Sequence, residues 1–222
     1  MVIRRETTLS RIRESQQEVA NSITHGLGLL LSIVASLFVA FTFAWPDYGM
    51  AFACGVYGLS LVIVYTVSTL SHAIQNESAK HHLRAWDQGV IYWLIAGTYT
   101  PFAWASLEDT NRVLMLTSVW TFAMLGFCSK VLGYHRINSF SSLSYVLLGW
   151  IPGMILVWTV PFECAIGMVA GGLAYTLGIV FLINDHRQWY FHALWHVAVI
   201  AGSACHFYAI VRLLLALKTM NA

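Results

Sequence analysis

A chain of 222 residues that is 58% hydrophobic and only 10% charged stands apart from soluble domains, in which roughly 25% of residues are charged, and reads as a polytopic membrane protein. Its net charge of +2, with Lys and Arg dispersed along the chain, excludes a nucleic-acid partner. Cys54, Cys128, Cys164 and Cys205 lie apart in or beside apolar stretches without a CxxC spacing, so they are expected as buried small hydrophobes rather than disulfides or ligands.

Residues 1–21 are polar and hold four Arg. They lack the short apolar core and small-residue cleavage site of a signal peptide, so the first span is expected to serve as its own anchor. A span needs about 20 mostly apolar residues to cross ~30 Å of hydrocarbon. On that measure seven candidates follow, near 24–44, 49–71, 87–106, 113–132, 143–160, 165–183 and 192–216. The expected fold is all-α: a cytoplasmic segment 1–21, a seven-helix transmembrane bundle 22–217 and a short outer tail 218–222.

Orientation follows from Lys and Arg in the loops. With the amino terminus inside, the inner segments hold Arg4, Arg5, Arg11, Arg13, Lys80, Arg84, Lys130, Arg136 and Arg187, against Arg112, Arg212 and Lys218 outside. An odd number of spans then puts the carboxyl terminus outside. The outer loops, around Pro46-Asp47, Leu107 to Arg112 and Pro161 to Glu163, are short. They offer little surface to a soluble protein ligand.

Within the spans, Gly167-Met-Val-Ala-Gly171 is a small-xxx-small pattern of the kind that marks helix–helix contacts. Pro101 in Gly97-Thr-Tyr-Thr-Pro101 and Pro152 in Trp150-Ile-Pro-Gly153 predict bends in spans three and five. Packing and bending suffice to explain these residues, although backbone groups freed at a bend can also line a cavity.

Polar groups gather at one depth. Span two ends with Ser68-Thr-Leu-Ser-His72, span three opens at Asp87, and span seven opens with His192-Ala-Leu-Trp-His196. Residues at i and i+4 share a helix face about 5–6 Å apart at Cβ, so His192 and His196 can reach one metal ion, and Ser68 and His72 share a face too. Interfacial His and Asp can simply be solvated by headgroups, and a lone Asp suits a helix N-terminus. Four such residues from three spans, with the i,i+4 spacing twice, match instead the make-up of a catalytic-type zinc site with three protein ligands and an open position.

The remaining histidines sort by position. His206 lies about 15 Å beyond His196 at 1.5 Å per residue, too far to share that metal, and is expected as a buried, hydrogen-bonded core residue. His81, His82, His135 and His186 are expected in solvated inner loops. Glu18, Asn21 and His25 form one stripe at the inner end of span one. They read either as a polar helix cap facing the bundle or as groups that orient ligand imidazoles.

Glu18-Val-Ala-Asn-Ser-Ile-Thr-His-Gly26, Ser68-x-x-x-His72, Asp87, Gly97-Thr-Tyr-Thr-Pro101, Gly171-Gly-x-x-Tyr175-Thr-x-Gly178 and His192-x-x-x-His196 together resemble the bacterial hemolysin III family, the prokaryotic branch of the progestin and adiponectin receptor superfamily. The resemblance covers nearly the whole chain, with the motifs in the family's order. It implies seven spans with the amino terminus inside and a zinc ion (Zn2+) held by His72, His192 and His196. Ser68 and Asp87 match the remaining site positions, around the reacting water. Adiponectin receptors and alkaline ceramidases share this constellation, which implies hydrolysis of a lipid amide such as ceramide. The short amino-terminal segment and minimal outer loops depart from the receptors, so hormone sensing is not carried over. Nothing here resembles a secreted pore former, so neither is cytolysis.

The expected function is therefore a zinc-dependent hydrolase of a membrane lipid, set in the bacterial inner membrane with its site at the cytoplasmic interface. Asp87 would orient or deprotonate the water, and Ser68 would bind the substrate oxyanion or steady Asp87. The alternative is a non-enzymatic regulator or sensor of membrane lipid or energetic state, in which a structural metal clamps spans two, three and seven with Asp87 or His25 as fourth ligand. A channel or transporter fits less well, because such proteins place ionisable groups near the midplane.

Overall fold

The computed structural model describes residues 2–43, 48–133 and 139–220. Pro46, Asp47, His135 and Arg136, and the side chains of Arg4, Arg5 and Arg11, lie outside the described residues. Seven helices follow in order: α1 (Val2–Thr42), α2 (Tyr48–Ala73), α3 (Glu77–Ser106), α4 (Asp109–Gly133), α5 (Ser139–Leu156), α6 (Phe162–Ile183) and α7 (Phe191–Met220). No strand occurs among the described residues. Helices suit such long apolar runs, since hydrocarbon offers no partner to a backbone N–H or C=O and a helix pairs its own.

Five stretches are long and apolar enough to cross a membrane: Arg13–Thr42, Tyr48–Ala73, Asp109–Gly133, Phe162–Ile183 and Phe191–Thr219. Their outward faces carry Leu30, Val34, Phe41, Phe52, Leu125 and Leu177, with Phe41 85% exposed. Soluble proteins rarely display apolar surface on this scale; a bilayer solvates it.

The other two helices lack that signature for different reasons. The apolar stretch of α3 is diluted by Tyr92, Thr98, Tyr99, Thr100 and Pro101, all buried. The helix packs against α2, α4, α5 and α7. A helix enclosed by protein need not be lipid-soluble on its surface. Helix α5, with 18 residues, is short and ends at Leu156, and the chain turns through residues 157–160 before α6.

Helix boundaries differ from the apolar runs where polar capping extends them. α3 begins at Glu77 rather than near residue 87, because Asn76 accepts a hydrogen bond from Ala79 N at 2.9 Å and Glu77 occupies the first turn, both favourable at a helix N-terminus. His81 and His82 therefore stand exposed on α3 rather than in a loop, a correction to the sequence reading. His186 sits in the turn between α6 and α7. The 41 residues of α1 extend about 62 Å at 1.5 Å per residue, so the polar amino-terminal stretch and the first apolar run form a single helix.

Helices α6 and α7 pack through glycine. A Cβ on Gly167 would stand 2.8 Å from Ala209 Cβ and 3.0 Å from the Cys205 carbonyl, and one on Gly171 would stand 3.0 Å from the Gly202 carbonyl. The small-xxx-small pattern thus lets the two backbones approach. Pro101 and Pro152 lie inside α3 and α5, and the four cysteines are free, Cys54 and Cys164 buried as expected but Cys128 and Cys205 only partly so.

Candidate metal centre

The end of the bundle where α2 meets α3 and α6 meets α7 gathers the histidines. His192 and His196, one turn apart on α7, have ring centroids 4.8 Å apart. His72, in the last turn of α2, lies 5.1 Å from each. One ring nitrogen from each of the three falls within 4.8 Å of the others. Zinc–nitrogen bonds are ~2.0–2.1 Å long, so a slight rotation of the rings would close them on one ion. His196 and His72 are buried, while His192 is partly so.

The hydrogen bonds of these rings fix which nitrogen is free. His72 Nδ1 lies 2.6 Å from Glu18 Oε2, His192 Nδ1 lies 3.2 Å from Asp185 Oδ2, and His196 Nδ1 lies 3.3 Å from the Asn21 carbonyl. Carboxylates and carbonyls accept but do not donate, so the ring hydrogen belongs on Nδ1 in each case. The lone pair is then left on Nε2. His72 Nε2 is buried without a partner, a costly state for a polar atom unless something fills it. Three imidazoles, each anchored at Nδ1 so that Nε2 carries the lone pair, fit a metal ion of the kind histidine binds.

Glu18 ties this anchoring to the rest of the fold. Its Oε1 lies 2.6 Å from Lys80 Nζ and 3.0 Å from Arg84 Nη2. The two cations, one turn apart on α3, hold the carboxylate that holds His72. Thr24 Oγ1, 3.2 Å from His196 Nδ1, can accept from that nitrogen as well. Glu18→Gln preserves shape and an acceptor oxygen but removes the charge. It is expected to weaken metal binding about 10-fold, the low end of the range for such outer partners, measured by competition with a chelating indicator.

His25 is buried and stacks on His196, with ring centroids 3.5 Å apart and planes at 15°, and meets the edge of Tyr65. Both its nitrogens lack hydrogen-bond partners. It is not among the three histidines that converge, and it walls the site against α1. Asp87, on α3, has Oδ2 3.1 Å from Ser71 Oγ. Ser68 Oγ is buried and without a hydrogen-bond partner. Ser71 makes this hydrogen bond, and Ser68, on the same helix, faces the same carboxylate.

Asp87, Ser68, His25, His192 and His196 line one end of a cavity of ≈ 420 Å³. From there it runs between α3, α5, α6 and α7, past Leu94, Phe102 and Val157 to His206. Its walls are mostly apolar, so polar chemistry is concentrated at the histidine end, and an elongated apolar group would fit the remainder.

A profile of the family described as Haemolysin-III related matches residues 13–207. The chain is 34% identical over 205 residues to the hemolysin-3 homolog of Bacillus subtilis (strain 168), an alignment covering 88% of this chain and 93% of that protein. It is 34% identical over 203 residues to hemolysin-3 of Bacillus cereus, covering 88% of this chain and 91% of that one. The human monocyte to macrophage differentiation factor is 28% identical over 203 residues, covering 87% of this chain and 83% of that protein.

Proposed function

This chain belongs to the haemolysin-III-related family of membrane proteins, and from that premise we propose that it is a zinc-dependent hydrolase of a membrane-lipid amide. His72, His192 and His196 are the zinc ligands in this reading. The observation that carries it is the meeting of three Nδ1-anchored imidazoles, two of which line an apolar cavity together with Asp87.

When bound, zinc supplies Lewis-acid polarisation of a carbonyl oxygen and acidifies water. The chain's own residues do the rest. Asp87, lining the cavity beside His192 and His196, accepts the proton of the attacking water at its carboxylate and returns it to the amide nitrogen as the C–N bond breaks. Ser71 orients that carboxylate through its hydroxyl. Ser68 Oγ, buried beside Asp87, donates to the carbonyl oxygen of the substrate as charge builds there. The apolar cavity holds the lipid's hydrocarbon and keeps bulk water out.

The proposed topology is seven spans, with residues 1–21 in the cytoplasm, 22–217 in the bacterial inner membrane and 218–222 outside. The metal centre then lies at the cytoplasmic interface, where a lipid of the inner leaflet enters sideways between helices. A second reading draws on His25, whose two unpartnered nitrogens lie against His196. Were His25 to turn onto the metal as a fourth protein ligand, the centre would be a structural clamp in a membrane regulator.

The test is fatty-acid release from ceramide by the purified, zinc-loaded chain in proteoliposomes. Release is expected to stop on chelation and resume when zinc is restored. Full zinc occupancy with no release from ceramide or other long-chain acyl amides would sink the hydrolase, and four protein nitrogens by X-ray absorption would support the clamp.

A further inference from the structure

A second polar cluster surrounds Ser203 on α7, and one of its members, Tyr175, lines the cavity. Tyr65 Oη donates to Ser203 Oγ at 2.8 Å, Tyr175 Oη shares a hydrogen bond with the same Oγ at 2.8 Å, and Tyr57 Oη donates to the Ser203 carbonyl at 3.2 Å. These hydroxyls satisfy one another. His206, on the same helix as Ser203, is different.

His206 Nε2 lies 3.1 Å from the Met168 carbonyl. A carbonyl only accepts, so Nε2 carries the ring hydrogen and Nδ1 is a bare lone pair. That Nδ1 is buried and has no hydrogen-bond partner, in a residue only 8% exposed. A Cβ on Gly171 would strike Cδ2 and Nε2 of the ring, so that edge faces α6 and the Nδ1 edge is turned away from it. His206 and Tyr175 both line the cavity that starts at Asp87. The offset from His196 along α7 is about 15 Å at 1.5 Å per residue.

A buried acceptor without a donor is costly, most of all at membrane depth, and an apolar side chain would fill this position at no such cost. We infer that His206 Nδ1 accepts a hydrogen bond from a hydroxyl on the hydrocarbon portion of the bound lipid, which makes His206 a specificity residue for hydroxylated chains. The inference rests on the reading of the cavity as a lipid site. It adds a second polar reading point, far from the amide, by which the cavity measures where along the chain a hydroxyl falls.

Ricinoleate and oleate, which differ only in a mid-chain hydroxyl, are the probes. Nanodiscs carrying the full chain are equilibrated with equal amounts of both, and the retained ratio is compared with that of empty nanodiscs. The wild type is expected to favour ricinoleate about five- to tenfold, the value of one net hydrogen bond. His206→Leu is expected to bring the ratio to that of empty discs while still retaining oleate. The O-methyl ether of ricinoleate, which cannot donate, is expected to be retained by the wild type no better than oleate; that arm needs no variant to fold. Equal retention of ricinoleate and oleate would overturn the inference, as would a preference that survives His206→Leu or extends to the ether. A buried water satisfying Nδ1 would give the first of these results. Failure to retain oleate at all would remove the lipid-site reading along with it, whereas retention without preference removes the inference alone.

Discussion

His196→Ala is expected to leave the purified chain without metal. His196 contributes one of the three converging nitrogens and is 1% exposed, so no solvent ligand easily takes its place. Removing an outer-sphere partner typically costs 10–100-fold in metal affinity, and removing a ligand should exceed that, taking occupancy by elemental analysis from stoichiometric to background. The control is His82→Ala, on the exposed face of α3, which should retain full metal. His196 also stacks on His25, so its truncation removes packing as well as a ligand. Circular dichroism separates the two effects: retained helicity with lost metal assigns the loss to coordination. Full metal occupancy in His196→Ala would overturn the ligand set.

The parts of this centre that were legible in the sequence are those fixed by the period of one helix. His192 and His196 are one turn apart whatever the fold does, and Ser68 and His72 likewise. Their meeting with one another depends on helix ends falling at the same depth, which the apolar runs gave closely for α2 and α7. The anchoring of the rings was much less visible. Asp185 reaches His192 across the turn between α6 and α7, a relation set by turn geometry and not by any repeat. Lys80 and Arg84 were hidden because an apolar-run reading started the third helix near residue 87, whereas the Asn76 cap begins it ten residues earlier and turns them onto Glu18. The stripe of Glu18, Asn21 and His25 was visible, but which imidazole each would meet was not.

The cavity was not legible at all, because it is what remains when α3, α5, α6 and α7 fail to fill the space between them. Pattern reveals which face of a helix is apolar, but not how far apart two such faces come to rest. The same limit applies to His206. One nitrogen is hydrogen-bonded, as a core residue's should be, yet the fate of the other depends on a void that no single helix encodes. Ser71 illustrates a finer version: it precedes His72 in the chain, but only the packing of α3 against α2 shows that it joins Ser68 at Asp87.

Asp87→Asn is the sharpest test of whether the centre does chemistry. The amide has the size of the carboxyl and its oxygen can still accept from Ser71 Oγ, so the local packing and the cavity wall should persist. What it cannot do is take a proton. General-base contributions run to roughly 10²–10⁴-fold, so fatty-acid release from ceramide should fall by about that factor. The loss should appear in kcat and kcat/KM together, since the interaction forms only in the transition state. Zinc content should remain that of the wild type. Each departure carries a distinct meaning. Loss of zinc along with activity would make Asp87 a ligand and favour the closed, structural centre. Unchanged turnover would place the base elsewhere, with His25 the next group to examine because its nitrogens are unpartnered and it lines the same cavity. A fall in turnover with metal retained is the result that only a reacting carboxylate explains, because a clamp has no proton to move.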